Sequence, residues 1–123
     1  MSQLANRNLE ERVEKFGENV ILLCKNIHPT FLNKPLITQL IRSSTSIGAN
    51  YMEANNASSR KDFTNRIFIS KKEAQETKHW LRMLSTSENN EKTTKELRVL
   101  WKECQELTMI FQKITNSLRS NDK

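Results

Sequence analysis

A row of cations in the middle of the chain is the set of residues whose type and spacing most suggest chemistry. The row consists of Arg60, Lys61, Lys71, Lys72, Lys78 and Arg82. Four of these cations, beginning at Arg60, follow one another after about three, two and one helical turns, so on a helix they fall within roughly 40°. Such a row can follow a phosphate backbone and predicts polyanion binding. The alternative is an ordinary solvated helix face.

The distribution of charge supports the same interpretation. The chain has 20 Lys and Arg against 14 Asp and Glu, a net charge of +6. Residues 60–87 hold seven of the basic and three of the acidic groups, so +4 of the excess lies there. A basic balance favours polyanionic partners, RNA or DNA among them.

Residues with the potential for catalysis or metal binding are few. His28 precedes a proline, His79 lies within the basic row, and neither has a Cys or Ser at productive spacing. Glu73 and Glu76 lie three apart on one helix face, where neighbouring lysines make them ordinary ion-pair partners. No phosphate-binding glycine loop or metal-ligand run is present in the sequence. These patterns predict a non-enzymatic protein with no cofactor and no metal.

Length and composition favour one helical domain spanning residues 1–123. Only two Gly and two Pro interrupt the chain, and Cys24 and Cys104 stand alone in different segments. This usage is typical of buried thiols in a reducing compartment. No apolar run approaches the roughly 18 residues of a membrane span, and no secretory leader is recognised. We expect a cytoplasmic protein without a membrane partner.

Apolar spacing of three and four residues predicts four helices. Pro29 ends the first, Pro35 suits the first turn of the second, and Ser58 or Ser59 would cap the third. Short connections between long helices indicate an all-α, antiparallel up-down-up-down four-helix bundle. The predicted helices cover residues 6–27, 35–55, 60–87 and 91–118.

The stretch "RSSTSIGANYMEA" predicts a close contact between the second and third helices. Both core stripes are large at their ends and small in the middle, where Ser44 and Gly48 would meet Ser70, Ala74 and Thr77. Glycine inside a helix costs about 1 kcal/mol relative to alanine, so packing is the expected compensation. The alternative is a ligand or nucleic-acid contact by Ser43, Ser46 or Asn50.

Apolar residues outside the core stripes predict a homo-oligomer. On the third helix these are Phe68, Ile69, Trp80 and Met83, and elsewhere they are Leu22, Val99 and Ile110. A monomeric bundle would expose them, and exposed apolar patches usually mark an interface. We expect Trp80 to anchor that interface.

Two segments, "RSSTSIGANYMEA" and "KDFTNRIFISKKEAQETKHWLRML", resemble the four-helix-bundle family of the 23S rRNA intervening-sequence protein. The resemblance extends from "LEERVEKF" through "KECQELTMIFQKI" and is most specific at a Ser-Ile-x-x-Asn-x-x-Glu pattern. The motif residues that it assigns a structural role are Arg42, Ser46, Ile47, Gly48, Asn50 and Glu53. It carries over no catalytic residue.

A similar bundle is the accessory variability protein of diversity-generating retroelements, a pentameric, positively charged barrel that binds nucleic acid and a reverse transcriptase. This likeness implies a ring-like homopentamer and strengthens the expectation of nucleic-acid binding. The favoured function is binding of nucleic acid, RNA above all, by shape and charge. The alternative is an oligomeric adaptor whose partner is another protein.

Overall fold

Four helices and their short connections make up the molecule. The structure, a computed structural model, describes the backbone of residues 3–121 and the side chains of residues 8–120. The helices are α1 (Gln3–Lys25), α2 (Asn33–Asn55), α3 (Arg60–Ser87) and α4 (Glu91–Asn121). Each helix packs against its two neighbours in the cyclic order α1, α2, α3, α4, with α1 and α4 the sparsest pair. The predicted all-α antiparallel four-helix bundle is confirmed.

The corner between α1 and α2 differs from the prediction. Thr30 and Asn33 form reciprocal hydrogen bonds, since the Thr30 N–H donates to Asn33 Oδ1 (2.7 Å) and the Asn33 N–H donates to Thr30 Oγ1 (3.2 Å). This pair caps a first turn that closes with Lys34 N–H donating to Thr30 O. Pro35 has no N–H to continue the pattern, but the helix already begins at Asn33.

Local hydrogen bonds also define the end of α1 and the starts of α3 and α4. At the end of α1, Ile27 N–H donates to Cys24 O, so the chain tightens into a three-residue turn beyond Lys25. Ser59 caps α3 by accepting from Asp62 N–H (3.0 Å). Asn90 caps α4 by accepting from Thr93 N–H (3.0 Å).

The core consists of the apolar stripes that the spacing predicts. Phe16, Val20, Leu40, Leu81 and Leu107 are almost fully buried, as are the remaining members of each stripe's centre. Tyr51 meets Phe111 edge to face, with 5.8 Å between the ring centroids. Burial of these side chains is the main stabilising contribution to the fold.

The small residues allow α2 and α3 to approach closely. Ser70 Oγ donates to the backbone carbonyl of Ile47 (3.1 Å), and Thr77 Oγ1 donates to Ser43 Oγ (2.9 Å). All three hydroxyl-bearing side chains are buried. Direct bonds from a side chain to the facing backbone require short side chains on both helices, so the predicted contact is present.

The prediction misplaced Gly48, which faces α1 and not α3. A Cβ atom on Gly48 would lie 3.6 Å from Val13 Cγ2, and a Cβ atom on Gly17 would lie 3.8 Å from the carbonyl oxygen of Ser44. Both distances are ordinary van der Waals contacts. The α1/α2 contact therefore has room for alanine, and close packing does not require either glycine.

The expectation that the off-stripe residues of α3 are exposed is wrong. Trp80 packs against the core and its Nε1–H donates to Glu76 Oε2 (2.8 Å). Phe68, Ile69 and Met83 are half-buried. The reason is that α3 packs against both α2 and α4, so its buried arc is wider than one core stripe.

The exposed apolar side chains lie elsewhere. Leu22 is 52% exposed and Val99 is 67% exposed, whereas Ile110 packs against the core. Spacing places Val99 about 40° from Glu103 on α4, whereas Leu22 lies about 80° from Arg12 on α1. Val99 therefore belongs to the side of the bundle where α1 and α4 meet, and it lines a groove there with Arg12 and Glu103.

Candidate nucleic-acid interface

The carboxylates of α3 are directed towards α2. Arg42 Nη1 donates to Glu73 Oε2 (3.1 Å), Arg42 Nη2 pairs with Glu76, and Gln39 Oε1 accepts from Arg42 Nε (2.8 Å). We call this group the Arg42 clamp: Gln39, Arg42, Glu73 and Glu76. Glu73 is only 13% exposed, so Arg42 supplies the ion-pair partner that a largely buried carboxylate needs. The clamp neutralises charge along the α2/α3 seam.

The motif residues beside the clamp also serve the α2/α3 seam. Asn50 Nδ2 donates to the Ser46 carbonyl (2.9 Å) and to Ser46 Oγ (3.1 Å), while Asn50 Oδ1 accepts from Arg66 Nη1 (3.1 Å). Ile47 is fully buried and its carbonyl accepts from α3. Glu53 is exposed on α2. Ser46 and Asn50 are thus occupied by bonds within the protein.

Carboxylates of α4 are directed towards α1. Arg12 makes two hydrogen bonds to Glu103 (2.7 and 2.8 Å) and one to Glu106 (3.0 Å). Hydrogen bonding to Glu103 raises the pKa of the Arg12 guanidinium further above its ordinary value, against the lowering effect of burial. This pairing neutralises charge along the α1/α4 seam, on the opposite side of α4 from α3.

What remains between these two paired seams is a surface formed by α3 and α4. We call it the basic face: Arg60, Lys61, Lys71, Lys72, Lys78 and Arg82 of α3 with Arg98, Lys102 and Arg119 of α4. From Arg60 to Arg82 it extends about 33 Å at 1.5 Å per residue. Both helices therefore contribute cations to this face.

Contacts across the α3/α4 seam join the two rows of cations. Lys78 Nζ donates to Gln105 Oε1 (2.5 Å) and lies 5.6 Å from the centroid of the Trp101 ring. Near the other end, Arg119 Cζ lies 5.0 Å from the centroid of the Phe68 ring. These are contacts with neutral groups, so the cations keep their charge available for an anionic ligand.

Several cations of the basic face have no carboxylate partner. Within residues 8–120, no ion pair or side-chain hydrogen bond involves the charged groups of Lys61, Lys71, Lys72, Arg82, Arg98 or Lys102. Five of these six side chains are exposed and Lys71 is half-buried. Because like charges are gathered without counter-charges, the face presents a positive potential to solvent.

A shallow cleft interrupts the basic face between the two helices. We call it the Trp101 cleft; its lining residues are Leu81, Arg82, Ser85, Leu97, Arg98 and Trp101. Leu81 and Leu97 are buried and form an apolar floor, while the two arginines are exposed at its margins. Trp101 is half-buried.

The sequence analysis placed the face on α3 alone and missed the contribution of α4. The sequence does indicate which face of α4 is acidic, because Glu96, Glu103 and Glu106 fall within about 80° of one another on a helical wheel. Arg98 and Lys102 lie outside that acidic arc, towards α3. Comparing the wheels of both helices would have placed these arginine and lysine side chains beside the α3 row.

The part of the chain that the structure describes offers no metal site, no membrane span and no reactive cysteine. It holds no group of three His, Cys, Asp or Glu side chains able to bind a metal, and no helix there is long and apolar enough to cross a membrane. Burial raises the pKa of the Cys24 thiol to about 11 and that of Cys104 to about 12. Both cysteines are buried free thiols that stay protonated at neutral pH.

These features define a class: a small antiparallel four-helix bundle with paired charges on two seams and, between α3 and α4, cations of which several pair with no carboxylate of residues 8–120. A family model described as 23S rRNA-intervening sequence protein matches residues 8–113. The chain belongs to the 23S rRNA-intervening sequence protein family, as the sequence resemblance led us to expect.

A solved structure agrees with this membership. The chain is similar to a protein of unknown function from the S23 ribosomal protein family of Bacteroides thetaiotaomicron, with 30% identity and a TM-score of 0.75. That match covers 90% of this chain and 97% of the other. Among curated proteins, none matches the chain. Neither the family description nor the solved structure names a catalytic activity.

Proposed function

We propose that this protein is a non-enzymatic, cytoplasmic nucleic-acid-binding bundle that recognises RNA mainly by shape and charge. The observation that carries the proposal is the basic face, where Lys61, Lys71, Lys72, Arg82, Arg98 and Lys102 make no ion pair with a carboxylate of residues 8–120. The family description supports RNA as the first ligand to test, because it refers to 23S rRNA. Lysine and arginine rows of this kind bind phosphates through counterion release, without reading base sequence.

The test is fluorescence anisotropy of labelled structured RNA and duplex DNA with purified protein, at about 50 and 200 mM salt. If about five phosphates contact the basic face, affinity should fall roughly 500-fold between these salt concentrations. Tighter binding of RNA than of DNA would support RNA as the ligand. Absence of binding at the lower salt concentration would refute the proposal.

We also propose that the chain self-associates, with the interface on the α1/α4 side and not on α3. Val99 is exposed there, and α1 and α4 pack the most sparsely of the neighbouring helices. A ring of five copies, as in the accessory variability protein of retroelements, is the arrangement that we propose. Mass measurement by light scattering at micromolar concentration tests it, and a monomer would overturn it. Val99→Glu should dissociate the assembly.

The alternative function, an adaptor for another protein, is favoured by a different observation. Phe31 is 86% exposed and Leu32 is 60% exposed at the α1–α2 corner, remote from the middle of the basic face. Adjacent exposed apolar side chains are a common feature of protein interfaces. A partner captured from nuclease-treated lysate, and lost in the Phe31→Ser/Leu32→Ser variant, would favour the adaptor over nucleic-acid binding.

A further inference from the structure

We infer that the Trp101 cleft is a binding site for one unpaired nucleobase of a strand whose phosphates lie on the basic face. This inference rests on the proposed function and deepens it, because it names single-stranded or looped nucleic acid as the preferred ligand. It also assigns Trp101, Ser85 and Arg98 to binding, although the sequence analysis gave none of them such a role.

The position of Trp101 is the first reason. It is the aromatic side chain at the point where Lys78, Arg82 and Arg98 come together between α3 and α4. Lys78 and Arg82 are one helical turn apart, about 6 Å along α3. The Lys78 ammonium lies over one face of the Trp101 ring, and the same ring lines the cleft. An aromatic ring among phosphate-binding cations is the arrangement that stacks bases of a single strand.

The lining of the cleft is the second reason. Its floor is apolar through Leu81 and Leu97, which suits the face of a base and disfavours a hydrated phosphate. Its margins are the guanidinium groups of Arg82 and Arg98, which suit the phosphates on either side of that base. The cleft therefore suits one nucleotide whose base lies on the apolar floor and whose phosphates lie at the two arginines.

A free hydroxyl supplies a polar contact within the cleft. The Ser85 side chain makes no hydrogen bond among the described residues, while its backbone carbonyl accepts from Glu88 N–H. The hydroxyl can donate or accept, so it can bond to the edge of any base. The base edge must be free of its Watson–Crick partner and of its stacked neighbours to enter, which excludes the interior of a duplex.

The experiment uses three labelled ligands of equal length: a single-stranded oligouridine, the same backbone with abasic residues, and a duplex RNA. Affinities are measured by anisotropy at about 50 mM salt, where phosphate contacts are strongest. In the Trp80→Phe protein, the intrinsic fluorescence reports Trp101 alone, because the chain has two Trp.

We expect oligouridine to quench Trp101 fluorescence and to bind roughly 10-fold more tightly than the abasic strand, as stacking of one base provides. Trp101→Leu should remove that difference, and Trp101→Phe should retain part of it. Ser85→Leu fills the cleft without altering Trp101, so it tests the site even if Trp101→Leu fails to fold. Neither Leu variant should change the affinity for the abasic strand.

The outcomes separate the two proposals. If oligouridine and the abasic strand bind equally tightly and both Leu variants behave as the unmodified protein, the cleft binds no base, while polyanion binding stands. Preference for the duplex over oligouridine would also overturn the inference. If none of the three ligands binds, the proposed function fails and the cleft inference fails with it.

Discussion

The α2/α3 and α3/α4 seams share helix α3 but differ in how its charged side chains are paired. On the α2/α3 seam, the Arg42 clamp pairs Glu73 and Glu76, and buried hydroxyls join the backbones. On the α3/α4 seam, Lys78 meets only a neutral amide and an aromatic ring. The sorting of carboxylates to one side of α3 is what leaves the other side positive.

This difference shows that the basic face depends on where the acidic side chains are directed as much as on where the cations lie. The cations of α3 alone are an ordinary helical row. They form a positively charged surface because Glu73 and Glu76 of α3 pair with α2. Glu103 and Glu106 of α4 pair with α1. The two paired seams favour stability, and the seam between them is left available for a ligand.

The largest effect is expected from reversing charge on the basic face. Lys71→Glu/Arg82→Glu should weaken RNA binding by roughly 100-fold, about 2.7 kcal/mol, because two phosphate contacts become repulsions. Anisotropy measures the loss, and circular dichroism checks that helicity is retained. The matched control is Lys15→Glu/Lys25→Glu, which changes net charge equally at exposed positions of α1. Equal loss in both variants would mean that net charge, and not this face, sets the affinity.

A smaller effect should distinguish the packing of the two seams. Ser70→Leu should lower the free energy of unfolding by about 2 kcal/mol, since it overfills a buried site and removes the bond to the Ile47 carbonyl. Ser85→Leu is the same change on the same helix beside an open cleft, and should cost less than 0.5 kcal/mol or so. Urea denaturation measures both. Similar losses would show that the α3/α4 seam is as tightly packed as the α2/α3 seam.

Arg42 and Arg98 should differ in the same way as their seams, since Arg42 should contribute to stability and Arg98 to RNA binding. Arg42→Ala should cost about 1 kcal/mol, because it leaves the mostly buried Glu73 without its partner. Arg98→Ala removes an exposed guanidinium without an ion pair, so the unfolding free energy should stay nearly unchanged while RNA affinity falls. Thermal melting and anisotropy, run on both variants, test this exchange of roles. Loss of RNA affinity in Arg42→Ala at unchanged stability would contradict it.

The smallest effect concerns a glycine outside both seams. Gly48→Ala should raise the free energy of unfolding by about 0.5–1 kcal/mol, because alanine favours the helix and its methyl group finds an ordinary contact with Val13. Chemical denaturation measures the gain. A decrease would show that α1 and α2 need the glycine to pack closely.

The sequence was sufficient for features that depend on a single helix. Periodicity placed Phe16, Val20 and Leu107 in the core, and the Ser and Thr side chains at the centre of α2 and α3 predicted close packing. It also located the cations of α3, because spacing along one helix determines which side chains share a face.

Features that depend on how neighbouring helices pack could not be predicted from the sequence. Arg12 and Glu103 are 91 residues apart in the chain, so nothing local indicates that α4 directs its carboxylates to α1. Burial of Trp80 depends on how much of α3 the adjacent helices cover. The turn before Pro35 depends on reciprocal bonds of Thr30 and Asn33, a weaker sequence signal than the proline itself.

The α1–α2 corner also determines where this chain can be cut and rejoined. Asn33 is buried, and its side chain accepts from Thr30 N–H and donates to the His28 carbonyl (3.0 Å). New termini or an inserted tag at residues 30–33 would leave that amide without partners in the interior. The connection at residues 88–90 has exposed asparagines and no such buried group, so a circular permutant opened between Glu88 and Asn89 should keep the bundle intact.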